Sequence, residues 1–263
     1  MQPITELTAA QARGLSGVVF DVDDTLTRAG RLEHAAYSAL WQLRDAGLSL
    51  LAVTGRPLGF AEVIARTWPV HAAVGENGAG YLRETGAALE VGFYAPQAER
   101  ARHAELLDRV RARVQRDAPF ARFADDCWAR RCDVAWDVGE RVQLSAAQIA
   151  ELRQVIESEG ARCLVSSVHA HALAGSYDKA TGAVLAGREA LGCDLDRERE
   201  RWLFVGDSGN DAAAFSFFPL SAGVANVRAH LHALPKPPRF VSQADRGRGF
   251  AEIAQHVLTL RAD

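Results

Sequence analysis

Short apolar runs without polar alternation recur along this chain, and each stops at a turn rich in aspartate or glycine. Val18 to Val22 leads into Asp23 and Asp24, Leu48 to Val53 into "TGRP", and Trp202 to Val205 into "GDSGND". A strand without a polar side is covered on both faces, the condition of a parallel sheet held between helices. Helical periodicity fills the intervals, at Glu33 to Ala46, Phe60 to Thr67, Ala180 to Leu191, Ala212 to Phe218 and Phe250 to Leu260. Short strands are also expected at His71 to Val74 and Ser221 to Val224. The expected fold class is α/β, a Rossmann-like doubly wound parallel sheet.

Between the flanks the texture changes. Two long amphipathic helices, Gln97 to Arg116 and Ala146 to Glu159, accompany strand-like stretches at Ala121 to Asp126, Asp133 to Val138 and Arg162 to Ala172. Alternation as in "CDVAWDV" fits a sheet with one open face. The reading is a discontinuous core, residues 1–82 and 173–263, interrupted by an α+β cap at 83–172. The chain would build outward from the first strand, then return after the cap to build on its other side beside Trp202 to Val205. That reversal is a switch point where ligands bind at the strands' carboxyl ends.

Composition narrows the possibilities further. The 263 residues carry a formal net charge of −3, with no general attraction for nucleic acid or membrane. The start, "MQPITELTAAQARG", lacks a basic region followed by an apolar one, and no apolar run approaches membrane-spanning length. Cys127 and Cys132 fit neither a redox pair nor a zinc knuckle, so Cys127, Cys132, Cys163 and Cys193 read as reduced thiols of a cytoplasmic protein.

The stretch "GVVFDVDDTL" ends a buried strand in three carboxylates, which repel one another unless a cation lies among them. The switch point would bring Asp21 and Asp23 beside Asp207 and Asp211. Four carboxylates in one crevice suit a hard cation such as Mg²⁺, which takes oxygen ligands. Gly206 and Gly209 would let the "GDSGND" loop turn tightly around it.

"DVDDT", "TGRP", "YDKATG" and "GDSGND", in that order and each in its expected context, resemble the four motifs of the haloacid-dehalogenase-like (HAD) superfamily of phosphohydrolases. The insertion between the second and third motifs resembles the type IIB cap of Cof-like and sucrose-phosphatase-like members. The resemblance implies Asp21 as nucleophile, forming an aspartyl-phosphate, and Asp23 as the acid and base. It implies that Thr54 bonds a phosphoryl oxygen and that Lys179 neutralises phosphoryl charge and orients Asp21. Mg²⁺ would be held by Asp21, Asp207, Asp211 and the backbone carbonyl of Asp23. Gly55, Arg56, Asn77 and Asn210 complete the candidate substrate contacts, with a tight turn at Asn77 and a turn anchor at Arg56 as alternatives.

Asp24 stands where glycine is common in the family and is expected to cap the following turn. His169 and His171 share a strand face, as pocket walls or a metal pair. The expected activity is Mg²⁺-dependent hydrolysis of a small phosphorylated metabolite, a sugar phosphate by resemblance. The alternatives are a sugar phosphomutase, with Arg130 and Arg131 as candidates for a second phosphate site, and a non-catalytic sensor. No nucleic-acid or membrane partner is expected, and the oligomeric state is not readable.

Overall fold

A computed structural model describes residues 1–262. Nine strands form one sheet, in the order Gln2–Pro3, Phe240–Val241, Leu220–Gly223, Trp202–Gly206, Gly17–Phe20, Ser49–Val53, Ala72–Gly75, Gly80–Glu84 and Leu89–Phe93. Pairing is parallel as far as Ala72–Gly75, and the last two strands join antiparallel. Gly17–Phe20 lies between Ser49–Val53 and Trp202–Gly206, so the chain order reverses there and the three strand ends share one crevice.

Burial on both faces accounts for the unbroken apolar runs. Successive strand residues point to opposite sides. Val18, Phe20, Leu50, Ala52, Leu203 and Val205 enter one core, while Val19, Leu51, Val53, Trp202 and Phe204 enter the other. Helices His34–Asp45 and Arg246–Ala262 cover the first face; Lys179–Ala186 and Ala212–Phe217 cover the second. No helix among the described residues is long and apolar enough to cross a membrane.

A second sheet, antiparallel and three-stranded, orders as Arg162–Val165, His169–Leu173 and Asp133–Asp137. Helices Gln97–Asp117 and Ala146–Ser158 cover one face, where Val134, Trp136, Ala170 and Ala172 meet Val110, Val114, Leu152 and Ile156. The other face carries Asp133, Asp137, His169 and His171. This face is not open as the alternation suggested: all four residues are buried, because the small sheet closes over the crevice of the large one.

Three local expectations change. The large sheet continues through the hairpin Gly80–Glu84 and Leu89–Phe93, past the boundary expected at residue 82. Leu89–Phe93 is the sheet's edge strand, and its adjacent Glu90 and Val91 are exposed, so it lacks the unbroken burial of the central strands. The stretch from Ala121 to Asp126 forms no strand beyond a single bridge from Phe123 to Trp136, since Asp126 turns away to meet Arg56 and Arg130. Arg162 to Ala172 is two strands rather than one. Ser166 Oγ accepts from the amides of Val168 and His169 at 3.3 and 3.0 Å and folds the chain back.

Candidate active site

Asp21, Asp207 and Asp211 converge where the central strands end, with one carboxylate oxygen of each within 4.8 Å of the others. All three are buried, and among the described residues the one cation bonded to any of them is Lys179, itself fully buried. Its Nζ donates to Asp21 Oδ1 at 2.5 Å and to Asp211 Oδ1 at 2.7 Å. Lys179 opens the helix Lys179–Ala186, an end whose dipole disfavours a positive charge. The two carboxylates offset that cost. Burial also opposes the ammonium, but Asp21 and Asp211 outweigh it and hold its pKa above the ordinary lysine range.

The carboxylates are not fully compensated by one lysine. Burial pushes Asp21 up to about 7, with Lys179 opposing and Asp211 and Asp23 adding to the rise. Asp207 is pushed well above the usual carboxylate range, first by burial and then by Asp21 and Asp211. Its direct partners are neutral: Asn226 Nδ2 donates to Oδ2 at 2.9 Å and Thr25 Oγ1 to Oδ1 at 3.4 Å. An all-oxygen, anion-rich donor set of this kind fits a hard divalent cation.

The "GDSGND" loop is shaped by hydrogen bonds to Asp211, whose Oδ2 accepts from the amides of Asp207 and Ser208 at 2.8 and 3.0 Å. Gly206 is required by space, since a Cβ there would lie 2.6 Å from the Asp211 carboxyl carbon. Asn210 is bonded to Ser208, and it donates to Asn77 Oδ1 at 3.1 Å. The Nδ2 of Asn77 is buried with no partner among the described residues, a donor near Gly55. Asn77 has a φ of 54°, the left-handed conformation that asparagine tolerates. Thr54 is fully buried at the end of its strand, its hydroxyl accepting from the Arg56 amide at 3.0 Å.

Asp23 departs from this group. Its carboxylate turns to Arg56, which donates Nη2 at 2.8 Å and Nε at 3.0 Å. Arg56 also reaches the small sheet's side, with Nη2 to Glu140 at 2.9 Å and Nη1 to Asp126 at 3.2 Å. Glu140 bonds His169 Nε2 at 2.9 Å. The His169 contact, burial working against it, and Arg56 together hold Glu140 well below the usual carboxylate range. Arg56 is thus neither a simple turn anchor nor a free substrate contact. It joins Asp23 to the cap.

The sequence-predicted residues Asp21, Asp207, Asp211, Lys179, Thr54, Gly55, Asn77 and Asn210 all gather around the crevice, with Asp23 and Arg56 at its outer edge. Asp24 does not cap its turn. Its φ is 54°, which explains why glycine suits the position, and its carboxylate accepts from Arg246 Nε at 2.9 Å. His169 and His171 are walls rather than a metal pair: each faces a carboxylate, Glu140 and Asp133 respectively, and burial keeps His171 neutral. Arg130 is unavailable to a second phosphate, being fully buried against Asp126, Asp133 and the Gly55 carbonyl. Arg131 lies over the Phe93 ring, away from Asp21.

Glu76 escaped the sequence reading, although it sits in "GENGA". Fully buried, it accepts from the Leu58 amide in the core and from the amides of Arg131, Cys132 and Asp133 in the cap. Thr25 and Asn226 also went unnoticed. The convergence of three consecutive amides on one carboxylate leaves no mark in residue types.

No protein-family model matches the sequence, and no curated protein matches it. Solved structures do. A Thermoplasma acidophilum protein is similar at a TM-score of 0.69 and 20% identity, covering 94% of this chain and 99% of its own. The sucrose-phosphatase of Synechocystis, solved with sucrose and phosphate, gives 0.66 and 16%, with 93% and 98% covered. A sugar phosphatase of HAD subclass IIB gives 0.60 and 16%, with 92% and 98% covered. At these identities the likeness is one of fold: a doubly wound α/β core with a smaller inserted sheet, shared with these proteins.

Proposed function

We propose that this protein is a Mg²⁺-dependent phosphatase of the HAD kind, hydrolysing a small phosphate monoester through an aspartyl-phosphate at Asp21. The observation that carries the reading is the buried triad of Asp21, Asp207 and Asp211 with a single lysine bonded to two of its members. Such an arrangement is unfavourable as architecture, since it buries more negative charge than it compensates. It suits a cation and an electrophilic phosphoryl group.

In the first step an Asp21 oxygen attacks phosphorus, the ester P–O bond breaks, and Asp23 delivers a proton to the departing oxygen. In the second, Asp23 takes a proton from water, which attacks phosphorus and frees inorganic phosphate with Asp21 restored. Lys179 orients Asp21 and offsets phosphoryl charge. In this reading Thr54 and the side-chain amide of Asn77 donate to phosphoryl oxygens, and the hydrogen bond from Asn210 holds Asn77 in position. Bound Mg²⁺, held by Asp21, Asp207, Asp211 and the Asp23 carbonyl, would supply further electrostatic stabilisation of the transferring group.

The segment inserted after the Leu89–Phe93 strand, through the small sheet, acts as the cap in this reading. The space between cap and core above Asp21 and Asp23 is a cavity of about 10 Å³, room for roughly one water. A phosphate monoester therefore reaches Asp21 with the cap displaced, and reclosure excludes water around it. The sugar-phosphate class rests on likeness to sugar phosphatases. Phosphate release from a panel of sugar phosphates, with Mg²⁺ and with EDTA, tests the proposal: metal-dependent release supports it, and metal-independent release contradicts it.

A further inference from the structure

A cavity of about 840 Å³ opens directly beside Asp23 and Arg56. Its size admits a leaving group as large as a hexose. No aromatic ring lines it, so it offers no stacking face for a sugar ring. Guanidinium groups dominate instead: Arg28, Arg31, Arg56, Arg141 and Arg246, against the carboxylates of Asp23, Asp24 and Glu140.

Those carboxylates are already engaged, Asp23 and Glu140 by Arg56 and Asp24 by Arg246. Arg28 is held by Asp245 at 2.7 Å and by Glu33 at 3.2 Å. Two cations remain. Arg31 makes no ion pair or side-chain hydrogen bond among the described residues, and Arg141 pairs with Asp125 at 3.1 Å, where both side chains are more than 60% exposed (65% and 61%). An exposed pair of that kind is weak and readily exchanged.

The hairpin that carries Arg31 is built against local preference. Arg28 and Arg31 are directly opposed across its two strands, where like charges repel. Its turn needs Ala29 at a φ of 50°, beside Gly30 at 72°, a left-handed conformation that a Cβ disfavours. A ligand anion at the Arg31 side would relieve the first of these costs.

We infer that the leaving group carries a second anion, a carboxylate or a phosphate, gripped by Arg31 and Arg141 at the mouth of this cavity. The inference rests on the phosphatase reading and names its substrate class. Guanidinium recognises both anions through paired N–H donors.

Three probes separate the sources: sorbitol 6-phosphate, which has a neutral far end; 6-phosphogluconate, which has a carboxylate there; and hexose 1,6-bisphosphate, which has a phosphate. Each is titrated calorimetrically into Asp21→Asn protein and assayed for phosphate release with wild type in Mg²⁺. At least one doubly anionic probe is expected to bind about tenfold tighter than sorbitol 6-phosphate, with kcat/KM raised in proportion. The variant Arg31→Gln/Arg141→Gln, altered at exposed positions, should bring that ratio close to one. Equal affinity for all three probes, or a ratio that the double variant leaves intact, would overturn the inference. Preferential binding removed by the double variant, with no phosphate release from any probe by wild type, would retain the anion site and overturn the phosphatase reading.

Discussion

Two buried ionic clusters lie on either side of the crevice, and they treat their carboxylates differently. On the cap side, Asp133 meets Arg130 Nη1 at 3.0 Å and His171 Nδ1 at 2.9 Å, and Asp126 meets Arg130 Nη2 at 2.9 Å. Each carboxylate there has a guanidinium bonded to it. Under the strand ends, the side-chain partners of the Asp207 carboxylate among the described residues are Asn226 and Thr25, and Lys179 serves both Asp21 and Asp211. The first arrangement holds two pieces of chain together. The second leaves charge uncompensated where the fold places ligands, and that asymmetry distinguishes a site from a buried salt bridge.

Charge removal should therefore have opposite consequences in the two clusters. The largest effect expected is on turnover. Asp21→Asn should lower the rate of phosphate release by on the order of 10⁴-fold or more, while the melting temperature holds or rises. An active Asp21→Asn protein would remove the distinction between the clusters.

Next comes the cap. Arg130→Met leaves Asp133 buried without its guanidinium and Asp126 with Arg56 alone, and urea unfolding should report a loss of about 3–5 kcal/mol. A loss below about 1 kcal/mol would mean that the cap cluster is not the structural partner of the pair. Asp207→Asn works in the other direction. Without Mg²⁺ it should stabilise the protein by about 1 kcal/mol, because it removes a carboxylate whose charged form burial disfavours. Added Mg²⁺ should raise the melting temperature of wild type more than that of the variant.

The smallest effect concerns pH. Glu140 has its pKa lowered in the folded protein, so its contribution is present above the ordinary glutamate value of 4.5 and is lost as pH falls below it. Wild type should exceed Glu140→Gln in stability by about 1 kcal/mol or less at pH 7, and the gap should narrow below pH 4.5 and close only well below pH 4, as pH falls through the lowered folded value. A gap that widens on acidification would show that the Arg56–Glu140–His169 contacts do not join cap to core in this way.

What was legible beforehand follows the range of the interactions involved. Strand runs such as Val18–Phe20 and turns such as "TGRP" are local, so periodicity and resemblance located them and the residues they carry. Glu76, Asp126, Glu140 and Asn226 act across long separations. Glu76 bonds amides 55 to 57 residues away, and Glu140 meets an arginine 84 residues away. Nothing in a glutamate's neighbours announces such a partner. The cap sheet shows the same limit: "CDVAWDV" revealed the alternation, but whether its polar face met water or the core depended on docking, which periodicity does not encode. Asp24 was misplaced because its side chain's partner, Arg246, comes from the other end of the chain.

The central claim is that Asp21 bonds covalently to phosphorus. Acid quenching during turnover with Mg²⁺ and a phosphate monoester, followed by peptide mass analysis, tests it directly. The account predicts a phosphoryl group on the peptide bearing Asp21, convertible to homoserine at that position by borohydride and absent from Asp21→Asn. Steady phosphate release with no phosphorylated Asp21 at any quench time, or with the group on another residue, would contradict it.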